Sequence, residues 1–256
     1  MLRGVEPAVR QIVEELCQVR EARDEFSLGD GVEFEHGPHA LSDNSGDVLE
    51  EEAEAQRRRE GHPSTALWPI DQICIFRSDV GGTAPMIYVC EPKAPHKLAA
   101  HHITRGLRPM NILSDVVNRK TIPTTEEERF QHNAERLTAA ALTQAYSYMI
   151  ESGLEYGVLT TGEMIIFLKI DWSKPQTLLY HLAEPNAEVE AHPANAHLCS
   201  AAGQYLSFTL MALEGALHGQ GERQRAMTNL RTWSEDFETI RRSMPDEDRL
   251  GLKSSG

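Results

Sequence analysis

Asp71-Gln72-Ile73-Cys74-Ile75-Phe76 and Met86-Ile87-Tyr88-Val89-Cys90-Glu91-Pro92-Lys93 are the stretches that decide the fold. Each is a short apolar run rich in β-branched and aromatic residues, and Val80-Gly81-Gly82-Thr83 between them is a turn signal. An antiparallel hairpin is the expected result, with the start of the first strand beside the end of the second. That places Asp71 next to Glu91 and Lys93. Side chains at i and i+2 of a strand share a face, so Glu91 and Lys93 project side by side. Pro92 between them has no N–H for the sheet ladder, which predicts a strand end or a bulge at that point.

Two carboxylates and an ammonium at one strand end are what metal-assisted hydrolysis of a phosphodiester needs. Hard carboxylate oxygens hold a divalent cation, and a nearby lysine orients the attacking water or meets developing negative charge. A later helical stretch carries Gln144 and Tyr148, one turn apart, and Gln144 lies close after the run Ala139-Ala140-Ala141-Leu142. Each residue also has a plain structural reading. Asp71 could be a polar strand entry, Glu91 and Lys93 an exposed strand end, and Gln144 with Tyr148 a surface hydrogen-bonding pair.

Together these motifs resemble the PD-(D/E)xK nuclease superfamily, which has the restriction-endonuclease-like fold, and Gln144 and Tyr148 match the Q-x-x-x-Y motif of its RecB-like branch. The resemblance spans roughly residues 1 to 170. It implies an α/β fold with a mixed β-sheet flanked by helices, and a Mg²⁺- or Mn²⁺-dependent hydrolase acting on nucleic acid, with DNA as the expected substrate. It also implies roles. Asp71, Glu91 and the Pro92 carbonyl hold metal, Lys93 and Gln144 serve catalysis, and Tyr148, Lys97 and His96 contact substrate. The segment from Glu91-Pro92-Lys93-Ala94-Pro95-His96-Lys97 through Glu151-Ser152-Gly153-Leu154-Glu155-Tyr156-Gly157 also resembles a group of uncharacterised fungal proteins. A further acid from the first helix is usual in the superfamily. Val9, Ile12, Val13 and Leu16 have helical spacing, and at about 100° per residue Glu6 falls about 20° from Val13 on the buried stripe. Glu6 is therefore the expected third acid, joining Asp71 and Glu91 in metal binding and catalysis, whereas Glu14 and Glu15 read as solvated. A first-turn acid favoured by the helix dipole is the alternative for Glu6.

The formal charge of −14 opposes generic nucleic-acid binding, which relies on clustered Lys and Arg. Much of the acid lies in Asp47 to Glu54 and around Asp246-Glu247-Asp248, however, and the run Lys93, His96, Lys97, His101, His102, Arg105, Arg108 adjoins the candidate site. The four cysteines, Cys17, Cys74, Cys90 and Cys199, are dispersed and read as reduced thiols of an intracellular protein, cytoplasmic or nuclear. No apolar run approaches membrane-spanning length, and no signal-peptide core precedes the first helix, so no membrane association is expected. The histidines show no tight ligand spacing, and His101 and His102, adjacent on a helix, are expected to face apart.

Along the chain, a helix near 5–20 and a strand near Val32-Glu35 precede a polar stretch, 37–64, that reads as a disordered insertion. Helical segments near 97–105 and 110–118 lead to a long helix that begins at Thr125-Glu126-Glu127-Glu128 as a capping box and runs to Ser152-Gly153. A hairpin, Tyr156-Thr160 with Met164-Ile170, and a strand near Thr177-Leu182 follow. The stretch from His197 to Leu217 reads as a buried closing helix. Residues 1–217 form the nuclease-like domain on this reading. Residues 218–256 form a C-terminal amphipathic helix, Glu222 to Arg242, and a disordered tail beyond Ser243. That helix packs on the domain or binds a protein partner. Two functions remain open: a metal-dependent nuclease, or a catalytically inactive relative whose nuclease-like fold serves as an interaction module.

Overall fold

The computed structural model describes residues 2–36, 72–77, 85–121, 123–230, 233 and 235–250. Six strands form one mixed sheet in chain order: β1 (Gly31–His36), β2 (Gln72–Arg77), β3 (Met86–Pro92), β4 (Tyr156–Thr160), β5 (Ile165–Ile170) and β6 (Leu178–Ala183). Every neighbouring pair is antiparallel except β3 and β4, which are parallel. A parallel pair needs a crossover, and the long helix between these strands supplies it.

Helices cover both faces, giving an α/β architecture with a flanked mixed sheet. On one face lies α4 (Glu126–Ser152), joined by α3 (Ala100–Gly106); Leu137, Ala141 and Ala145 pack with Val89, Leu159 and Ile166. On the other lie α1 (Leu2–Cys17), followed by the short α2 (Arg20–Glu25), and α7 (Ala201–Leu213). There Val9, Val13, Tyr205 and Phe208 pack with Cys74, Tyr88, Cys90 and Val158. The alternation along β3 divides its side chains between these two cores. Tyr88 and Cys90 join the α1/α7 face and Val89 joins the α4 face.

The start and end of α4 follow from its sequence. Glu126, Glu127 and Glu128 oppose the helix dipole at the N-terminus, and Gly153 closes the helix at φ +73°, a left-handed conformation that glycine adopts without strain. The expected capping box is altered. The Thr125 hydroxyl donates to Glu128 Oε2 at 2.8 Å instead of accepting from the backbone. Close packing of α3 on α4 depends on Gly106, where a Cβ would sit 2.3 Å from the Ala134 carbonyl oxygen. A π-helical turn, Ile112–Val117, connects the two.

The C-terminal third differs from expectation. The 197–217 region is two helices, α6 (Ala196–Cys199) and α7, after the short α5 (Pro185–Ala191). The break falls at Ser200, which caps α7 by accepting from Gly203 N at 3.1 Å. The helix expected over Glu222 to Arg242 is also two, α8 (Gln220–Asn229) and α9 (Phe237–Ser243), because Leu230 is extended at ψ 148°. Ala226, Phe237, Ile240 and Met244 then bury into the α4 core. Among the described residues, the expected tail forms a helix, α10 (Asp246–Leu250), docked through Asp248. The stretch 37–64 lies outside the described residues. Among the described residues, no helix is long and apolar enough to cross a membrane.

Candidate active site

The candidate site forms where β3 ends. Glu91 follows Cys90 and returns to the α4 face, where it is 1% exposed. Pro92 pairs with Thr160 in the regular parallel register, and the Lys93 N–H donates to the Thr160 carbonyl at 2.8 Å. The ladder therefore continues past the proline, and Pro92 marks a strand end. The register shift of this hairpin sits elsewhere, between Cys74 and Ile75. Lys93 keeps the face of Glu91 for that reason, and its Nζ lies 2.6 Å from Glu91 Oε1.

From Lys93 a chain of hydrogen bonds crosses to α4. Lys93 Nζ donates to Gln144 Oε1 at 2.9 Å, and Gln144 Nε2 donates to the Tyr148 hydroxyl at 3.0 Å. The one-turn spacing of Gln144 and Tyr148 makes this relay, and the buried Tyr148 fixes its far end. The ammonium also stands 4.5 Å from the centroid of the Phe237 ring, within cation–π range. Lys93 thus has a carboxylate, an amide oxygen and an aromatic face around one charge.

The other expected site residues are placed as follows. Asp71 lies outside the described residues. The described part of β2 begins with Gln72 paired to Cys90, so the strand ends meet as the hairpin expectation requires. Glu6 is buried on α1 with Val9 and Val13, as its helical position implies, while Ile12 at the stripe's edge is 38% exposed. Its charge acts on Cys74 and Tyr205, which belong to the α1/α7 face, so Glu6 approaches the sheet from the side opposite Gln144. Lys97 is paired with Glu238 at 3.2 Å, and His96 is exposed.

The basic run beyond the triplet is largely matched with acids. Arg108 Nε donates to Glu135 Oε1 at 2.9 Å, and Arg119 Nη1 lies 3.3 Å from Glu135 Oε2. Burial raises the Glu135 carboxyl, but the guanidinium of Arg108 and its neighbours outweigh that and leave its pKa below the usual value. His101 and His102 do not face apart. Their ring centroids are 4.2 Å apart, since both rings lean onto Phe130 at 5.7 Å. His102 Nδ1 accepts the Ala99 N–H at 3.2 Å and its Nε2 meets the Asp248 carbonyl oxygen at 2.8 Å, so the ring is the neutral Nε2–H tautomer. Burial lowers its pKa accordingly.

Sequence reasoning missed Phe237 and Asp248. The sequence shows Phe237 as one position of a longer amphipathic stripe and places Asp248 in a tail expected to be disordered, yet Asp248 is 1% exposed. It accepts from Asn133 Nδ2 at 2.6 Å and Arg129 Nε at 3.1 Å. The only local signal was Asp236, which caps α9 by accepting from Thr239 N at 2.7 Å.

For a divalent cation, Glu91 offers a hard carboxylate oxygen and Pro92 a backbone carbonyl, the donor chemistry that suits Mg²⁺ or Mn²⁺. Among the described residues, no group of three or more His, Cys, Asp or Glu side chains is placed to hold a metal ion. The second carboxylate of the expected pair is Asp71.

Comparison with known proteins gives a family and curated relatives. The family model described as the Spore killer 2 N-terminal domain matches residues 17–234. Meiotic driver SPOK2 of Podospora anserina is 31% identical over 178 residues, which cover 64% of this chain and 23% of the relative. The chain therefore corresponds to less than a quarter of that relative's length. No solved structure matches.

Proposed function

The chain belongs to the Spore killer 2 N-terminal domain family, and within it we propose that this domain is a metal-dependent nuclease hydrolysing phosphodiester bonds of DNA. The observation that carries this reading is the continuous Glu91–Lys93–Gln144–Tyr148 arrangement at the end of β3. The resemblance to the PD-(D/E)xK superfamily supports it, through Glu91-Pro92-Lys93 and the Gln144/Tyr148 pair. The relative's description as a meiotic driver suggests the biological setting, in which an intracellular nuclease would act on nucleic acid.

Each residue has a definite task on this reading. Asp71, Glu91 and the Pro92 carbonyl hold Mg²⁺ or Mn²⁺, which when bound supplies Lewis acidity and lowers the pKa of bound water. Lys93 orients the attacking water and meets the charge that develops on the phosphoryl oxygens. Gln144 takes one N–H of the ammonium and fixes where the charge sits, and Tyr148 fixes Gln144. No covalent enzyme intermediate is needed, because the nucleophile is water.

One observation favours a second reading, an inactive nuclease-like fold used for protein interaction. The cations beside the site are already engaged, Lys97 with Glu238 and Arg108 with Glu135, which leaves less positive charge for a polyanion. Incubation of the purified chain with single- and double-stranded DNA and RNA, with Mg²⁺, Mn²⁺ or chelator, decides between them. The nuclease reading expects cation-stimulated cleavage that chelator abolishes. Absence of cleavage of every nucleic acid with either cation overturns it in favour of the interaction module. Calorimetry adds an independent check, since the Asp71→Ala, Glu91→Ala double variant should lose Mn²⁺ binding; affinity equal to wild type would remove the metal pair.

A further inference from the structure

We infer that Phe237 is a positioning residue for Lys93, and that the first turn of α9 completes the candidate active site from a segment distant in sequence. Three described groups stand around the Lys93 ammonium. Its Nζ has Glu91 at 2.6 Å and Gln144 at 2.9 Å, and both of these neighbours attract it through oxygen. The third neighbour is the Phe237 ring, 4.5 Å from Nζ to centroid. The negative face of an aromatic quadrupole attracts a cation, and the attraction is strongest where water is excluded. Phe237 is 3% exposed and the Lys93 side chain 11%, so this contact lies in such a place. A leucine would fill similar volume but offer the charge nothing.

The ring is held by more than its own packing. Glu238, the next residue, pairs with Lys97, so adjacent residues of α9 grip two lysines four apart on the segment after β3. Asp236 caps the helix just before them, and Ile240 and Met244 anchor the other end in the α4 core. Beyond Met244, Asp248 is fastened to Arg129, Asn133 and His102. The whole segment therefore presents one aromatic face to one ammonium. It also lies beyond residue 234, where the family match ends, so the contact is read from this structure.

The consequence for turnover rests on the nuclease reading, whereas the placement of Lys93 does not. The test uses the full chain with Phe237→Leu, Phe237→Met and Phe237→Tyr. Two quantities are measured: kcat and KM for Mn²⁺-dependent cleavage, and the rate at which acetyl N-hydroxysuccinimide acylates Lys93, read by peptide mass spectrometry with Lys120 as an internal standard. Phe237→Leu should lower kcat about tenfold, the scale of a desolvated cation–π contact, with KM changed by less than about twofold. It should also raise Lys93 acylation severalfold, and Phe237→Tyr should restore both quantities because its ring keeps the quadrupole. Phe237→Met serves if the leucine variant does not fold. Equal Lys93 acylation in the wild type and the folded aliphatic variant, or failure of Phe237→Tyr to differ from it, overturns the inference. If the wild type does not cleave, the nuclease reading falls and the acylation comparison still decides whether Phe237 places Lys93.

Discussion

Cys90 and Glu91 are neighbours on β3, yet the regions they enter use polarity in opposite ways. On the α1/α7 face, the Tyr88 hydroxyl donates to Thr209 at 3.0 Å and Cys90 lies 3.8 Å from the Tyr205 hydroxyl, among groups almost wholly buried. Burial pushes the Cys74 thiol up to about 12, with smaller effects from Tyr88 and Glu6, and carries the Tyr88 and Tyr205 hydroxyls well above their ordinary range. The thiols and hydroxyls of this face stay neutral, beside the carboxylate of Glu6 on α1. On the α4 face, Glu91 and Lys93 form a buried ion pair at the end of the sheet. Neutral hydrogen-bonded groups inside a core stabilise and specify it, whereas a buried ion pair gives little net stability and is better explained by what it does.

Breaking the α4 face should give the largest effect, and it should be on activity. Lys93→Ala removes the group that meets developing charge, so kcat should fall by about two to three orders of magnitude with KM much less affected. Steady-state cleavage with Mn²⁺ measures it. Unchanged turnover would place Lys93 among structural residues and erase the contrast between the two faces.

The same substitution has a cost in stability that the sequence did not reveal. Glu91 is buried, so losing Lys93 leaves a carboxylate with a weakened set of partners, and the protein should lose about 3 kcal/mol. The paired variant Lys93→Met, Glu91→Gln removes both charges and should recover most of that loss while remaining inactive. Urea unfolding of the two variants separates the structural role of the pair from the catalytic one.

The reach of the sequence follows the same division between local and distant. All six strands were legible, because short apolar runs bounded by turn residues depend on neighbours in sequence, as in Tyr156–Thr160 and Ile165–Ile170. The i, i+2 and i, i+4 spacings foreshadow the Glu91–Lys93 and Gln144–Tyr148 contacts, whereas the Lys93–Gln144 bond, across 51 residues, follows only from the Q-x-x-x-Y resemblance. Phe237 and Asp248 were not legible, since their partners lie more than 100 residues away. Met227, Leu230, Trp233 and Phe237 suggest one helical stripe, but the same spacing survives a break in which Leu230 is extended and Met227 is 41% exposed. Between Glu222 and Arg242 there is no Gly or Pro to mark that break. Helical periodicity puts Glu6 on the buried stripe, where the structure has it, while the side of the sheet it meets depends on packing that periodicity does not encode.

A smaller effect should come from the latch that holds the C-terminal segment to α3 and α4. Asp248→Ala deprives Arg129 and Asn133 of their acceptor and should cost about 2 kcal/mol. Acid acts on the same latch through His102, whose pKa is lowered in the folded state by burial. The unfolded chain therefore binds this proton first. The stability from neutral His102 is present above the ordinary histidine pKa of about 6.5 and is lost as pH falls below it toward the depressed folded value. Hydrogen exchange of the amides in α9 and α10 should speed up over that window. Exchange independent of pH there, after correction for intrinsic rates, would detach His102 from the latch.

The smallest effect tests the neutral face directly. Tyr88→Phe removes a hydroxyl but keeps the ring, which packs edge-on to Phe208 with centroids 5.3 Å apart. Thr209 loses its partner at 3.0 Å and the Cys74 thiol its weak bond to Tyr88, yet the Thr209 hydroxyl still donates to the Tyr205 carbonyl at 2.8 Å. The expected loss is about 1 kcal/mol, the net worth of one hydrogen bond between neutral groups. Turnover should not change, because the substitution lies on the face of β3 that Glu91 and Lys93 turn away from. A fall in kcat as large as that of Phe237→Leu would mean that the two faces are coupled through the strand, and the division between a structural and a chemical side would give way to a single network.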